Sequence, residues 1–335
     1  MRLFGPYLWG LLADHFGKRL TVIRLTSVMA LAAFSMLFAA SRFEAVCASL
    51  AVLSAFWVAS LPLVETLTFD HLRDRPSGYG RIRAWGSIGF VASVMGIGAL
   101  LDHHDLSILL WINVLLLAGI ALNTYLLPEA RHLEAREASV SVLAILRQSK
   151  VAGLLAACFS MAAAHGALNV FYSIFLADHG VSKSVVGMMW TLGVLAEIVV
   201  FYFMPTLMRR FGLRTVLVTS LAAAVVRFLV IGYCAESPVL LLLAQLMHGL
   251  TFGAMHVAAI AAINRWFAGS ARARGQALYS SVSFGAGGLV GGIVSGWTWD
   301  HWGGELTFVM SSLFALIGLC VALLWVRGSE IGAGK

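Results

Sequence analysis

Long apolar runs recur from one end of the chain to the other, and no other feature limits its fold as strongly. A helix of about 20 residues crosses the roughly 30 Å hydrocarbon core of a bilayer at 1.5 Å per residue. The sequence supports ten complete crossings, at 20–40, 45–67, 84–101, 106–127, 151–176, 185–207, 213–235, 239–263, 275–297 and 305–326. Residues 1–12 are apolar but too short to cross, and read as the last turns of a helix whose beginning is missing. Hydrophobic residues make up 60% of the 335 and charged residues only 12%, about half the charge a soluble domain carries. A soluble enzyme, a nucleic-acid-binding domain and a disordered chain are thereby excluded, and an all-α polytopic membrane protein remains.

The basic residues are sorted by side. Lys18, Arg19, Arg73, Arg75, Arg81, Arg83, Arg131, Arg136, Arg147, Lys150, Arg209, Arg210, Arg214, Arg265, Arg272, Arg274, Arg327 and Lys335 fall in one set of alternate loops, and only Arg42 and Lys183 in the other. Arg2, Arg24 and Arg227 lie within apolar stretches. The net charge of +7 is therefore a topology signal, and it puts the first set of loops and the C-terminus in the cytoplasm. The loops at 102–105, 235–238 and 300–305 then face outward. Cys47, Cys158, Cys234 and Cys320 sit in or beside apolar segments without metal-ligand spacing and read as small packing residues.

The longest polar segment, 128–150, divides the chain into an incomplete N-terminal bundle (1–127), a cytoplasmic linker (128–150), a six-helix C-terminal bundle (151–327) and a cytoplasmic tail (328–335). The two halves resemble each other. Phe16-Gly17 and Arg19 fall on Phe211-Gly212 and Arg214 at an offset of 195, and 84–90 falls on 278–284 at an offset of 194. A repeat that keeps its orientation predicts two pseudo-symmetric bundles.

Five stretches carry a family resemblance. Gly10, Asp14, Gly17, Lys18 and Arg19 fit GxxxDxxG[RK][RK] on a cytoplasmic loop, which resembles the signature between the second and third helices of the major facilitator superfamily. Tyr79-Gly-Arg81-Ile-Arg83-Ala-Trp-Gly-Ser-Ile-Gly-Phe90 is similar to the YGRxRxWGSxxF signature of the phenylpropionic acid permease group. Gly193–Glu197, Gln245–His256 and Gln276–Ser280 are similar to that group's later motifs. The resemblance implies the major facilitator fold. It also implies a gating role for the first motif with Arg81 and Arg83, and proton symport of a small aromatic or related carboxylate across a bacterial inner membrane. Glu65, in Pro62-Leu-Val-Glu65, stands where that group tends to carry Asp.

Ionisable groups deep in a bilayer are costly, so each needs a reason. Glu197 and Arg227 lie at similar depth in successive spans and can pair, either as a structural lock or as a proton and carboxylate site. Gln245, His248, Phe252 and His256 recur at intervals of 3, 4 and 4, one face of a helix, and suit a cavity wall. His165 and Asn169 repeat this at i, i+4, beside Phe171 and Tyr172. Glu65 near a helix end is either solvated or a second proton-coupling group. The small-residue run from Gly285 to Gly296 is either a moving interface within the bundle or a contact between copies.

The sequence thus predicts a monomeric secondary transporter working by alternating access, with protons, a small-molecule substrate and the lipid bilayer as its partners and no cofactor. Arg227 is expected to receive the carboxylate and Glu197 the proton, His248 and His256 to orient or relay, and Phe252 to contact the substrate ring. A carrier of nucleosides or sugars, a drug exporter, a haem protein using the histidines, and a non-transporting fragment are the alternatives. No Walker A, GxSxG, HExxH or CxxC motif supports a pump or hydrolase.

Overall fold

The computed structural model describes residues 4–16, 19–71, 78–128, 145–267 and 271–326. Among these, regular structure is helical throughout. In order they form α1 (Gly5–Phe16), α2 (Arg19–Ser35), α3 (Phe43–His71), α4 (Gly78–Leu101), α5 (Ile108–Thr124), α6 (Ser149–Ala164), α7 (Gly166–Asp178), α8 (Lys183–Tyr233), α9 (Pro238–His248), α10 (Met255–Trp266), α11 (Ala271–Ser280) and α12 (Gly288–Trp325). Two π-helical segments, Gly249–Ala254 and Ser281–Gly287, join α9 to α10 and α11 to α12.

A bilayer offers no water to backbone or side-chain groups, so polar atoms must find partners within the protein. Several hydroxyls do so locally: Thr191 donates to the Gly187 carbonyl at 3.0 Å and Ser295 to Gly291 at 2.6 Å, each one turn back. Among the described residues, six helices are long and apolar enough to cross a membrane. Two of them, of 51 and 52 residues, fold back on themselves at Gly212 (φ 73°) and Gly303 (φ 83°). Only glycine enters this left-handed region without strain, so one residue reverses the chain. With the shorter apolar helices at Trp85–Leu101 and Ile108–Thr124, the crossings come to ten, as the hydropathy predicts.

Two boundaries differ from the sequence reading. The span expected to run unbroken through 151–176 is interrupted at His165, where ψ is −1° between α6 and α7. The span expected to end at 67 continues to His71, so Glu65 lies inside α3 and is half-buried.

The contacts divide the chain into two compact units. The first takes in Met1–Ile88 and His103–Ala135, the second Gly89–Asp102 and Arg136–Lys335. In the first, α2 packs on α3 and α5 around Ala13, Leu20, Ile23, Ala59 and Leu63. Arg24 donates to the Thr124 carbonyl at 3.2 Å and lies 5.1 Å from the Tyr125 ring. It therefore caps the end of α5, where the sequence suggests simple snorkelling. In the second unit the α6–α7 segment is the hub, with 78% of its most apolar stretch buried, and α12 packs along it. Leu154, Leu168, Phe175, Leu217, Phe228 and Phe308 fill that core. The linker expected at 128–150 is described only from residue 145, and the tail at 328–335 lies outside the described residues.

Candidate functional site

The second unit is built around a buried cation. Arg227, in the returning half of α8, has no solvent exposure. Burying an unpartnered guanidinium is prohibitive, so its five N–H groups must be met. One face of α9 and the following π segment supplies acceptors for four of them. Nε donates to the Ala244 carbonyl at 2.7 Å and Nη2 to Gln245 Oε1 at 3.2 Å. Nη1 donates to Thr251 Oγ1 and His248 Nδ1, both at 2.9 Å, and approaches His165 Nε2 at 3.5 Å. Residues 244, 248 and 251 follow the i, i+4, i+7 spacing that places side chains in one row.

This arrangement fixes the protons of two histidines. A guanidinium only donates, so His248 Nδ1 must accept and the ring proton sits on Nε2. From there it is donated to Glu197 Oε1, 2.7 Å away. His165 is set the other way round. Its Nδ1 donates to the Met161 carbonyl at 2.8 Å, leaving the Nε2 lone pair toward Arg227. Both imidazoles are neutral with opposite tautomers, because a second proton on either would point at the guanidinium. The sequence pairs Glu197 with Arg227 directly; the structure sets the His248 ring between them. The carboxylate end of this chain is its accessible end, with 15% of the Glu197 side chain exposed.

Close packing brings the acid to the imidazole. A Cβ at Gly249 would fall 2.5 Å from the Ala196 carbonyl oxygen, so α8 and the start of the π segment touch backbone to backbone. That contact sets Glu197 beside His248, and it explains why Gly193-Val-Leu-Ala-Glu197 and His248-Gly249 belong together.

From His248 a ladder of parallel rings runs down the helix. His248 and Phe252 have centroids 5.4 Å apart and planes within 6°, Phe252 and His256 5.9 Å and 9°. These spacings match four residues of rise, about 6 Å. In an ordinary helix each i+4 step also turns about 40° past a full revolution, so three such rings would fan out. The π segment Gly249–Ala254 takes more residues per turn and winds the stripe back into register. Parallel planes this close leave no room for a further ring, which needs about 3.5 Å on each side. Phe252 therefore offers an edge to any ring it contacts. His256 Nδ1 is hydrogen-bonded to the Tyr279 hydroxyl at 2.8 Å, and Phe284 flanks both Phe252 and His256.

The other expected site residues lie as follows. Asn169 is on the exposed side of α7, one turn after His165. Phe171 stacks on Trp299 at 4.5 Å, and Tyr172 is buried against Trp190. Glu65 belongs to the first unit, so the two candidate proton-coupling acids fall in different units. Gly10 and Asp14 are on α1 and Arg19 opens α2, while Gly17 and Lys18 lie outside the described residues. Arg81 and Arg83 are in α4; their side chains, like that of Asp14, lie outside the described residues. Thr251 and Tyr279 were legible only as members of motifs, yet each holds a site residue. Among the described residues no three His, Cys, Asp or Glu side chains come together as a metal site.

Comparison with known proteins adds the following. A family model described as "MFS_1 like family" matches residues 1–310. The probable 3-phenylpropionic acid transporter of Escherichia coli (strain K12) is 30% identical over 264 residues, covering 76% of this chain and 68% of that protein. The maltose permease of Geobacillus stearothermophilus is 25% identical over 323 residues, covering 96% and 81%. A crystal structure of the nucleoside transporter NupG has the same fold, with a TM-score of 0.84 at 19% identity over 98% of this chain and 88% of that one.

Proposed function

This chain belongs to the MFS_1 like family and is a multi-pass membrane transporter of the major facilitator type, and on that premise we propose that it takes up a small aromatic or related carboxylate together with a proton. The observation that carries this reading is the line Glu197–His248–Arg227, in which a partly accessible carboxylate reaches a fully buried cation through one imidazole. The relative named for 3-phenylpropionic acid supports the substrate class.

The geometry changes the roles the sequence suggests. Four of the five Arg227 N–H groups are engaged by acceptors on α9 and the π segment that follows, so in this reading the guanidinium stays behind as a fixed positive charge. The substrate carboxylate instead competes with Glu197 for the His248 Nε2 proton donor. The arriving carboxylate brings a second negative charge beside Glu197, and one proton taken up with it leaves the net charge of the site unchanged. The substrate ring meets the edge of Phe252, and Asn169 and His256 flank it.

Proteoliposomes test this. Uptake of labelled 3-phenylpropionate is expected to rise when the outside is acidified, and Glu197→Gln is expected to keep exchange of internal for external substrate while losing gradient-driven accumulation. Accumulation by Glu197→Gln at the unmutated rate would remove the proton role. The same vesicles given uridine or maltose decide between substrate classes, and uptake of either with none of the carboxylate would replace the reading with a neutral-solute carrier.

A further inference from the structure

A second organised polar contact lies far along α8 from the site, at its first turn. The Asp102 carboxylate, just after α4, accepts from the backbone N–H of Lys183 at 2.9 Å and of Ser184 at 3.2 Å, and from the Ser184 hydroxyl. Lys183 Nζ returns a bond to the Leu101 carbonyl at 2.8 Å. The first N–H groups of a helix have no partner within it and carry its positive dipole end, so a carboxylate there is held by charge as well as by hydrogen bonds. The backbones behind it are in contact. A Cβ at Gly98 would come 2.7 Å from the Lys183 carbonyl oxygen, and one at Gly187 2.4 Å from that of Val94.

Helix α4 is divided between the two units, with residues up to Ile88 in the first and Gly89–Asp102 in the second. Within the second unit, the outer half is held to α8 by this cap and by the two close glycine contacts. A carrier that alternates must open and close at each end. By the basic-residue count, this end faces out.

We propose that Asp102 is the latch of the outer gate: its cap on the first turn of α8 holds the outer half of α4 closed, and its release is the step that opens the carrier outward. The glycine pair lets the two helices close fully, while the carboxylate makes closure a discrete state with a cost to leave. Opening exposes the Lys183 and Ser184 amides to water, which solvates them. The latch therefore opposes opening without forbidding it.

The test needs no substrate, so its failure is separate from any failure of the carboxylate reading. Spin labels on Met95→Cys and Val239→Cys, both in the second unit and 48% and 64% exposed, are placed in a background with Cys47, Cys234 and Cys320 changed to Ser. Their distance distribution is read in nanodiscs. The background is expected to show mainly one distance, the shorter of any pair the variants reveal. Asp102→Asn keeps the shape and loses the charge, and is expected to raise the ratio of long to short distances about tenfold, as for one charge-assisted bond. Ser184→Ala is expected to give a smaller rise in the same direction. An unchanged distribution in Asp102→Asn would overturn the latch. So would loss of the folded protein in Asp102→Asn together with an unshifted Ser184→Ala, since the contact would then be fixed structure.

Discussion

Replacing Gly291 with alanine should destabilise the second unit, while the same change one residue later should not. A methyl carbon at Gly291 would sit 2.3 Å from the Ala163 carbonyl oxygen and 2.7 Å from its Cα. Both are backbone atoms of α6 and cannot rotate away, so α12 must move by about an ångström. The contact is reciprocal, since a Cβ at Gly166 would meet the Gly291 carbonyl carbon at 2.4 Å. Overpacking of this kind costs about 1–3 kcal/mol. Alanine returns up to about 1 kcal/mol of helix propensity, leaving a net loss of up to about 2 kcal/mol. At Gly288 and Gly292 nothing lies within 4 Å, so only the propensity gain applies. The two classes should differ by about 1–3 kcal/mol, or roughly 2–10 °C in apparent melting midpoint. The assay is tryptophan fluorescence during heating in detergent at one fixed scan rate, because unfolding of such proteins is irreversible. If Gly292→Ala lowers the midpoint as much as Gly291→Ala, the assignment of the Gly287–Gly291 side of this run to α6 is wrong.

Three further outcomes follow from the geometry. Arg227→Met should lower stability by about 3–5 kcal/mol by leaving Glu197 and His248 without their cation, and adding Glu197→Gln should recover part of it; additive losses in the midpoints of the two single variants and the double would dissolve the three-residue line. Alanine or asparagine at Gly212 or Gly303 should each cost about 1–3 kcal/mol, because positive φ with extended ψ is open to glycine alone, as read from the same melting curves. Arg24→Ala should cost about 0.5–1 kcal/mol through the lost cap on α5, and hydrogen exchange should show the excess opening confined to residues near Thr124.

The fold was legible because the bilayer is an unusually strict solvent. Its thickness sets the length of each helix, so the crossings can be read without any knowledge of packing. The site was half legible for the same reason: Glu197 and Arg227 stand out because charge at that depth needs a partner. Which partner was not legible. Whether His248 faces Arg227 or Glu197 depends on rotation about the helix axis, and a π segment changes that rotation without any clear mark in the sequence. Thr251 was hidden because a lone hydroxyl in a span usually bonds to its own helix. Asp102 looked like an ordinary loop acid, since its role depends on a helix start 81 residues away.

The single-residue reversals at Gly212 and Gly303 bear on biogenesis. The polar corners are short, with Arg209, Arg210 and Arg214 beside Gly212 and Asp300, His301 and Glu305 beside Gly303, so only a few residues can wait in water while the second segment enters the lipid. Each pair must be handed to the bilayer as one hairpin. These two corners are consequently poor places for an epitope tag or a reporter fusion, because any inserted residues would pry apart helices that meet without slack.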